Sequence, residues 1–218
     1  MSEINHPSDT LQDIKQMMER SSRFISLSGL SGIAAGICAL IGAWFAYEEL
    51  NARYMQRTED DFLHVPHASI DVTSISGLLQ DKLFIIAAIT FTAALISAFI
   101  FTYLRSKKNN IPLWGSTARR LLINVAVPMI SGGVFLFAML QYKVYALIAP
   151  GCLLFYGLAL VNASKYTLGE VRYLGYGLLL LAFLNIIFVG QGLIFWSLGF
   201  GVMHIIYGVV MCWKYERE

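Results

Sequence analysis

The stretch LFIIAAITFTAALISAFIFTYL, residues Leu83 to Leu104, decides the fold class of this chain. None of its 22 residues is charged. About 20 helical residues, each rising about 1.5 Å, cross the hydrocarbon core of a bilayer, which is about 30 Å thick. The stretch therefore predicts a transmembrane helix.

The chain contains five further apolar runs of this kind, six in all. Of its 218 residues, 57% are hydrophobic and only 14% are charged. The runs lack the period-two alternation of barrel strands and are longer than such strands. The sequence predicts an all-α integral membrane protein, a six-helix transmembrane bundle in a membrane domain of residues 24–218. The predicted spans are residues 24–47, 83–104, 121–140, 144–163, 174–189 and 193–213.

The segments outside the spans are short, with two exceptions. Residues 1–23 form a polar leader in which Leu11, Ile14 and Met18 recur at helical spacing, which predicts a short N-terminal amphipathic helix. This helix is expected either on the inner membrane surface or beneath the bundle. Residues 48–81 form an extracytoplasmic loop, into which the first span is expected to continue as a helix before Pro66 stops it.

The distribution of Lys and Arg predicts the orientation. Twelve of these residues flank one side of the predicted spans and four flank the other. Positively charged flanks stay in the cytoplasm, so both termini are expected to be cytoplasmic.

Seven basic residues in two of the predicted cytoplasmic loops are expected to form one surface, which we call the basic face. Two explanations for this face are open, namely membrane lipids as partners, or a cytoplasmic protein partner anchored at Trp114. Glu170 lies within the same loops and is expected to pair with Lys165, Arg172, Arg119 or Arg120. The residues of the face are Arg105, Lys107, Lys108, Arg119, Arg120, Lys165 and Arg172.

The interior of the predicted spans is nearly free of ionisable groups. No Asp, Glu, Lys or Arg occupies the centre of a run, which disfavours a proton relay, a catalytic carboxylate pair and a charged-substrate site. His204 is the exception. By depth in the membrane, Ser131 and Tyr156 are its candidate hydrogen-bond partners, whereas Asn185 lies near the outer end of its span. Two roles are open for His204, a neutral structural residue or a proton-sensitive switch or ligand.

Small residues predict where helices approach one another closely. Ser28, Gly32 and Gly36 form a stripe on the first span, which serves either packing within the chain or a homodimer seam. A second small-residue face carries His204 on the sixth span. In the third span, Pro128 frees the carbonyl of Asn124, which predicts either a kink or a pore lined by freed groups. The small-residue face of the sixth span consists of Ser197, Gly201, His204 and Gly208.

No catalytic motif is present. The sequence contains no nucleophile elbow, Walker loop, dinucleotide-binding glycine pattern or H-E-x-x-H, so we expect no enzyme, no cofactor and no nucleic-acid partner. His64 and His67 follow three acidic residues in the long loop, but their spacing matches no specific metal site. An ordinary solvated acidic loop is expected there.

Two segments carry a resemblance to a known family. RSSRFISLSGLSGIAAGICALIGA (residues 20–43) and LVNASKYTLGEVRYLGYG (residues 160–177) resemble a family of six-span inner-membrane proteins of Bacteroidota that has no established activity. The resemblance implies the six-span architecture and a bacterial inner-membrane location. It transfers no catalytic or binding residue.

Two classes of function agree with these features. One is a non-enzymatic interaction, sensing or regulatory component that acts through its cytoplasmic face. The alternative is a channel or transporter for a small neutral or weakly polar solute, using the kinked spans and His204. The lack of charge inside the spans and the lack of visible repeats favour the first.

Overall fold

The computed structural model describes residues 28–63, 77, 80–108 and 114–215. The predicted amphipathic helix of residues 1–23 lies outside the described residues. The same is true of most of the long loop, including His64 and His67.

The described residues form helices and contain no β-strand. Six of the helices are long and apolar enough to cross a membrane, which confirms the predicted six-helix bundle. The sixth span, Gly192–Tyr215, contains a short helix, a π-helical segment and a final helix in sequence. The elements are α1 Gly29–Leu63, α2 Lys82–Lys108, α3 Ser116–Gln141, a 3₁₀ turn Tyr145–Leu147, α4 Ile148–Ala163, α5 Glu170–Ile187, α6 Gly192–Trp196, the π segment Ser197–Met203 and α7 His204–Tyr215.

The sixth span lies at the centre of the bundle. It packs against α1, α4 and α5, while α2 packs mainly on α1 and α3 mainly on α4. Because the six spans alternate in direction, the start of α1 and the end of α7 lie at the same end, together with the loops that follow α2 and α4. We call this the basic end, and the opposite one the loop end.

Glycines bring α1 and the sixth span into backbone contact. A Cβ atom built on Gly36 would lie 2.7 Å from the carbonyl oxygen of Gly201, and one on Gly32 would lie 3.2 Å from Gly208 Cα. Ser28, at the head of the same stripe, is buried. Of the two roles predicted for the stripe, the structure shows packing within one chain.

A second close contact joins α4 to α5. A Cβ atom on Gly175 would lie 2.9 Å from the carbonyl oxygen of Gly157, and short separations of this kind are typical of membrane helices joined through small residues. Beside this contact, α4 and α5 bury the apolar core cluster. Its members are Leu153, Leu174, Leu178 and Ala182.

An ion-pair network at the loop end joins the extended part of α1 to the start of α2. Arg53 donates hydrogen bonds to Glu49 at 2.9 Å and to Asp81 at 2.9 Å, and Asp81 also accepts from the backbone N–H of Leu83 at 2.8 Å. Burial would raise the pKa of Asp81, but the hydrogen bonds from Arg53 and the backbone outweigh it and hold this pKa below its usual value. The network joins Glu49 and Arg53 of α1 to Asp81, which directly precedes α2.

Candidate functional site

The basic end contains a hydrogen-bonded contact between α5 and α7. Glu170, the first residue of α5, accepts hydrogen bonds from Lys214 Nζ and from Tyr215 Oη, the latter at 2.9 Å. The expected pairing of Glu170 with Lys165, Arg172, Arg119 or Arg120 is therefore wrong. The reason is that the antiparallel packing of the two helices places the last turn of α7 beside the first turn of α5.

Because Glu170 is bonded to Lys214 and Tyr215, it does not pair with the cations of the basic face. Six of its seven cations are exposed, and Arg105 is half-buried. None of the six forms an ion pair within the described residues. Trp114, in the same region, is 75% exposed. The six exposed cations are Lys107, Lys108, Arg119, Arg120, Lys165 and Arg172.

A second polar site lies inside the bundle at His204, the first residue of α7, whose side chain is buried. Its Nδ1 atom lies 2.9 Å from the carbonyl oxygen of Gly199, and its Nε2 atom lies 3.1 Å from Tyr156 Oη. A carbonyl oxygen can only accept, so Nδ1 carries the proton, and in the neutral ring Nε2 then accepts from the tyrosine. Both ring nitrogens of a neutral His204 are thus satisfied.

The π-helical segment explains how His204 reaches Gly199, five residues earlier. A Cβ atom on Gly199 would lie 2.4 Å from Leu153 of α4, and one on Gly201 would lie 2.3 Å from Leu40 of α1. Successive residues lie about 100° apart around a helix, so residues 199 and 201 face nearly opposite sides, and the two glycines contact different neighbouring helices. π-helical turns recur at functional sites.

Aromatic rings surround the histidine. Tyr156 and Phe200 both stack on His204, with ring centroids 5.5 and 6.0 Å away. Trp196 in turn lies 5.0 Å from Phe200. Phe200 and Trp196 lie on the side of His204 that faces the loop end of the bundle.

The other polar candidates lie elsewhere. Ser131 is exposed on α3 and donates to the carbonyl oxygen of Val127 at 2.9 Å, so the structure brings Tyr156 to His204 but not Ser131. Asn185 is buried, and its Nδ2 atom has no hydrogen-bond partner in the part of the chain that the structure describes. The same holds for Tyr207 Oη, which the sequence reasoning missed although Tyr207 lies one turn from His204.

The carbonyl freed by Pro128 has a partner. Asn162 of α4 donates from Nδ2 to the carbonyl oxygen of Asn124 at 3.4 Å. A neighbouring helix thus satisfies the backbone group that the proline leaves unpaired, as is usual for prolines in membrane helices.

This contact predicts that the effect of Asn162→Ala depends on Pro128. In the natural chain the substitution leaves the carbonyl of Asn124 unpaired within the bundle and should cost about 0.5–1 kcal/mol. In a Pro128→Ala background, residue 128 regains its N–H, the carbonyl of Asn124 is satisfied within α3, and the cost should fall toward zero. Unfolding in detergent measures both values, and equal costs in the two backgrounds would contradict the assignment.

The described residues contain no cluster of three or more groups suited to hold a metal ion. The two histidines of the long loop, His64 and His67, lie outside those residues. Cys38, Cys152 and Cys212 are free and half-buried.

Comparisons of this chain with models of protein families, with characterised proteins and with solved structures found no match. The six apolar helices nevertheless make the class clear. The chain is a multi-pass, helical membrane protein with a polar site at His204 inside its bundle and a basic surface at one end.

Proposed function

We propose that this protein is a non-enzymatic regulatory component of a bacterial inner membrane that binds an acidic cytoplasmic protein partner through its basic face. One observation carries the proposal. Glu170, the carboxylate described at the basic end, is occupied by Lys214 and Tyr215, while six exposed cations have no ion-pair partner among the described residues. Such a surface attracts an acidic protein and increases its rate of association.

The assignment of the basic end to the cytoplasm is part of this proposal. Its support is the excess of Lys and Arg on that side, twelve against four, since such residues resist translocation. Exposed Trp114 beside the cations adds an aromatic anchor of the kind that is enriched in protein interfaces.

A solute pathway has less support. Hydroxyl groups within α2 and α3 are bonded to backbone carbonyls of their own helices, as Thr90 is to Ile86 and Ser131 to Val127. The carbonyl freed by Pro128 is bonded to Asn162. Few polar groups therefore remain to replace the hydration shell of a solute.

The test is photo-crosslinking from position 114 in native membranes. A benzophenone amino acid replaces Trp114, and adducts are compared with and without Arg119→Ala plus Arg120→Ala. The matched control, Lys82→Ala plus Lys143→Asn, removes two charges at the loop end, and asparagine tolerates the positive φ of 59° at Lys143.

We expect a discrete protein adduct that the arginine variant weakens at least tenfold and the control leaves unchanged. Lipid adducts alone, with the protein still assembled, would overturn the proposal and reduce the basic face to an anchor for anionic headgroups. An equal loss in both variants would also contradict it.

A further inference from the structure

The start of α1 places the polar leader, residues 1–23, next to the basic end of the bundle. Ser28, which directly precedes α1, is buried, and a Cβ atom built on Gly29 would lie 2.5 Å from the backbone nitrogen of Cys212 in α7. The first turn of α1 is therefore held against the last turns of the sixth span. The chain that precedes Ser28 consequently joins the bundle close to Lys214, two residues after Cys212.

Two cations of the basic face lie just beyond this junction on α2. Gly42 of α1 packs directly against Thr90 of α2. Because the two helices run antiparallel, Gly29, thirteen residues before Gly42, lies level with the residue thirteen positions after Thr90. Lys107 and Lys108 follow that level by four and five residues, so they lie about 6–8 Å beyond the start of α1.

The loop between α4 and α5 adds two further cations near the same junction. Glu170 accepts a hydrogen bond from Lys214, so the first turn of α5 lies beside the end of α7. Lys165 precedes Glu170 by five residues and Arg172 follows it by two, and both are exposed. Four exposed cations of the basic face thus surround the point where the leader joins the bundle.

The leader carries the opposite charge. Residues 1–19 contain four carboxylates and one lysine, and both arginines of the leader come after them. Amphipathic helices that bind anionic membranes present Lys and Arg on their polar side, whereas an acidic segment is repelled by anionic headgroups and attracted by a basic surface. Asp9 and Asp13 are four residues apart, so the predicted helix directs both carboxylates to one side.

We propose that the leader docks on the basic face of its own chain, with Asp9 and Asp13 directed at the cations around the start of α1, and thereby competes with the acidic protein partner. The competition rests on the proposed function, whereas the docking does not. Asp13 precedes Gly29 by sixteen residues, which span about 24 Å as a helix, so the chain is long enough to return. Four carboxylates do not neutralise six exposed cations, so the basic face keeps a net positive charge for the partner.

The docking is tested by photo-crosslinking within the purified full chain in nanodiscs of phosphatidylethanolamine and phosphatidylglycerol. A benzophenone amino acid replaces Gln16, which lies on the same side of the predicted helix as Asp9 and Asp13, and mass spectrometry locates the adducts. We expect adducts within the chain, on peptides of the basic face around Lys107 or around Arg172. Lipid adducts alone would overturn the proposal.

Two pairs of substitutions separate charge from other properties of the leader. Asp9→Asn plus Asp13→Asn removes two carboxylates, while asparagine caps a helix as well as aspartate does, and should weaken the adduct within the chain at least threefold. The matched control, Thr10→Asn plus Gln12→Asn, also adds two asparagines but removes no charge, and should leave the adduct unchanged. Equal adducts in both pairs would contradict the docking by charge.

Salt gives a second measurement that needs no substitution in the leader besides the crosslinker. Raising the salt concentration from about 0.1 to about 1 M shortens the Debye length from about 10 to about 3 Å. The adduct within the chain should then fall at least threefold. An adduct that is insensitive to salt would overturn the proposal.

Competition is measured separately, in native membranes, through the partner adduct formed from position 114. Asp9→Asn plus Asp13→Asn should increase this adduct at least threefold, and an unchanged adduct would overturn the competition. A complete lack of partner adducts, with the adduct within the chain intact, would contradict the proposed function alone. A partner adduct without any adduct within the chain would overturn the docking of the leader alone.

Discussion

Gly208→Ala is expected to destabilise the protein by about 1–3 kcal/mol, because the added methyl group has no space. It would lie 2.5 Å from the carbonyl oxygen of Gly29 and 2.6 Å from the backbone nitrogen of Ile33. Both atoms belong to the backbone of α1, so α1 and the sixth span must move apart to admit the methyl group. Equilibrium unfolding in mixed detergent micelles, followed by circular dichroism, measures the change.

Gly133→Ala is the matched control, because a Cβ atom at Gly133 meets nothing within 4 Å. Alanine favours the helix over glycine by about 1 kcal/mol in soluble hosts, so this variant should be neutral or slightly more stable than the natural chain. The two alanine substitutions should thus have effects of opposite sign. Equal destabilisation by both would contradict the close contact between α1 and the sixth span.

His204→Leu is expected to cost about 1–3 kcal/mol, because it leaves Tyr156 Oη and the carbonyl oxygen of Gly199 buried without their partner. Tyr156→Phe alone should cost less, since His204 Nδ1 keeps its bond to Gly199. A double-mutant cycle over the two positions should give a coupling of about 1 kcal/mol, within the range found between membrane helices. The same detergent unfolding measurement supplies all four free energies.

Ser131→Ala serves as the control for this cycle. Its hydroxyl is exposed and bonds within its own helix, so the substitution should change stability by less than about 0.5 kcal/mol and should not couple to His204→Leu. Additive effects of Tyr156→Phe and His204→Leu would show that their hydrogen bond contributes nothing to stability. Coupling of Ser131 to His204 would instead restore the partner that depth alone suggested.

The spans themselves were determined by the sequence. Inside a bilayer every backbone polar group must be satisfied locally, so an uncharged apolar run of sufficient length, such as residues 83–104, has to be a helix wherever its neighbours lie. Depth follows from the same rule, since each residue advances about 1.5 Å along the helix. Depth was enough to place Tyr156, together with Ser131, among the candidate partners of His204, and the spacing of small residues was enough to identify the stripe of Ser28, Gly32 and Gly36.

The tertiary structure alone decided which way each side chain points around its helix. Ser131 shares its approximate depth with Tyr156, yet α3 packs on α4 and leaves Ser131 exposed, because rotation about a helix axis is set by all the faces that pack together. The same holds for the bond of Asn162 to Asn124. The π turn that places His204 Nδ1 beside the carbonyl oxygen of Gly199 was likewise not predicted, because reading faces from the sequence assumes a regular helix of 3.6 residues per turn.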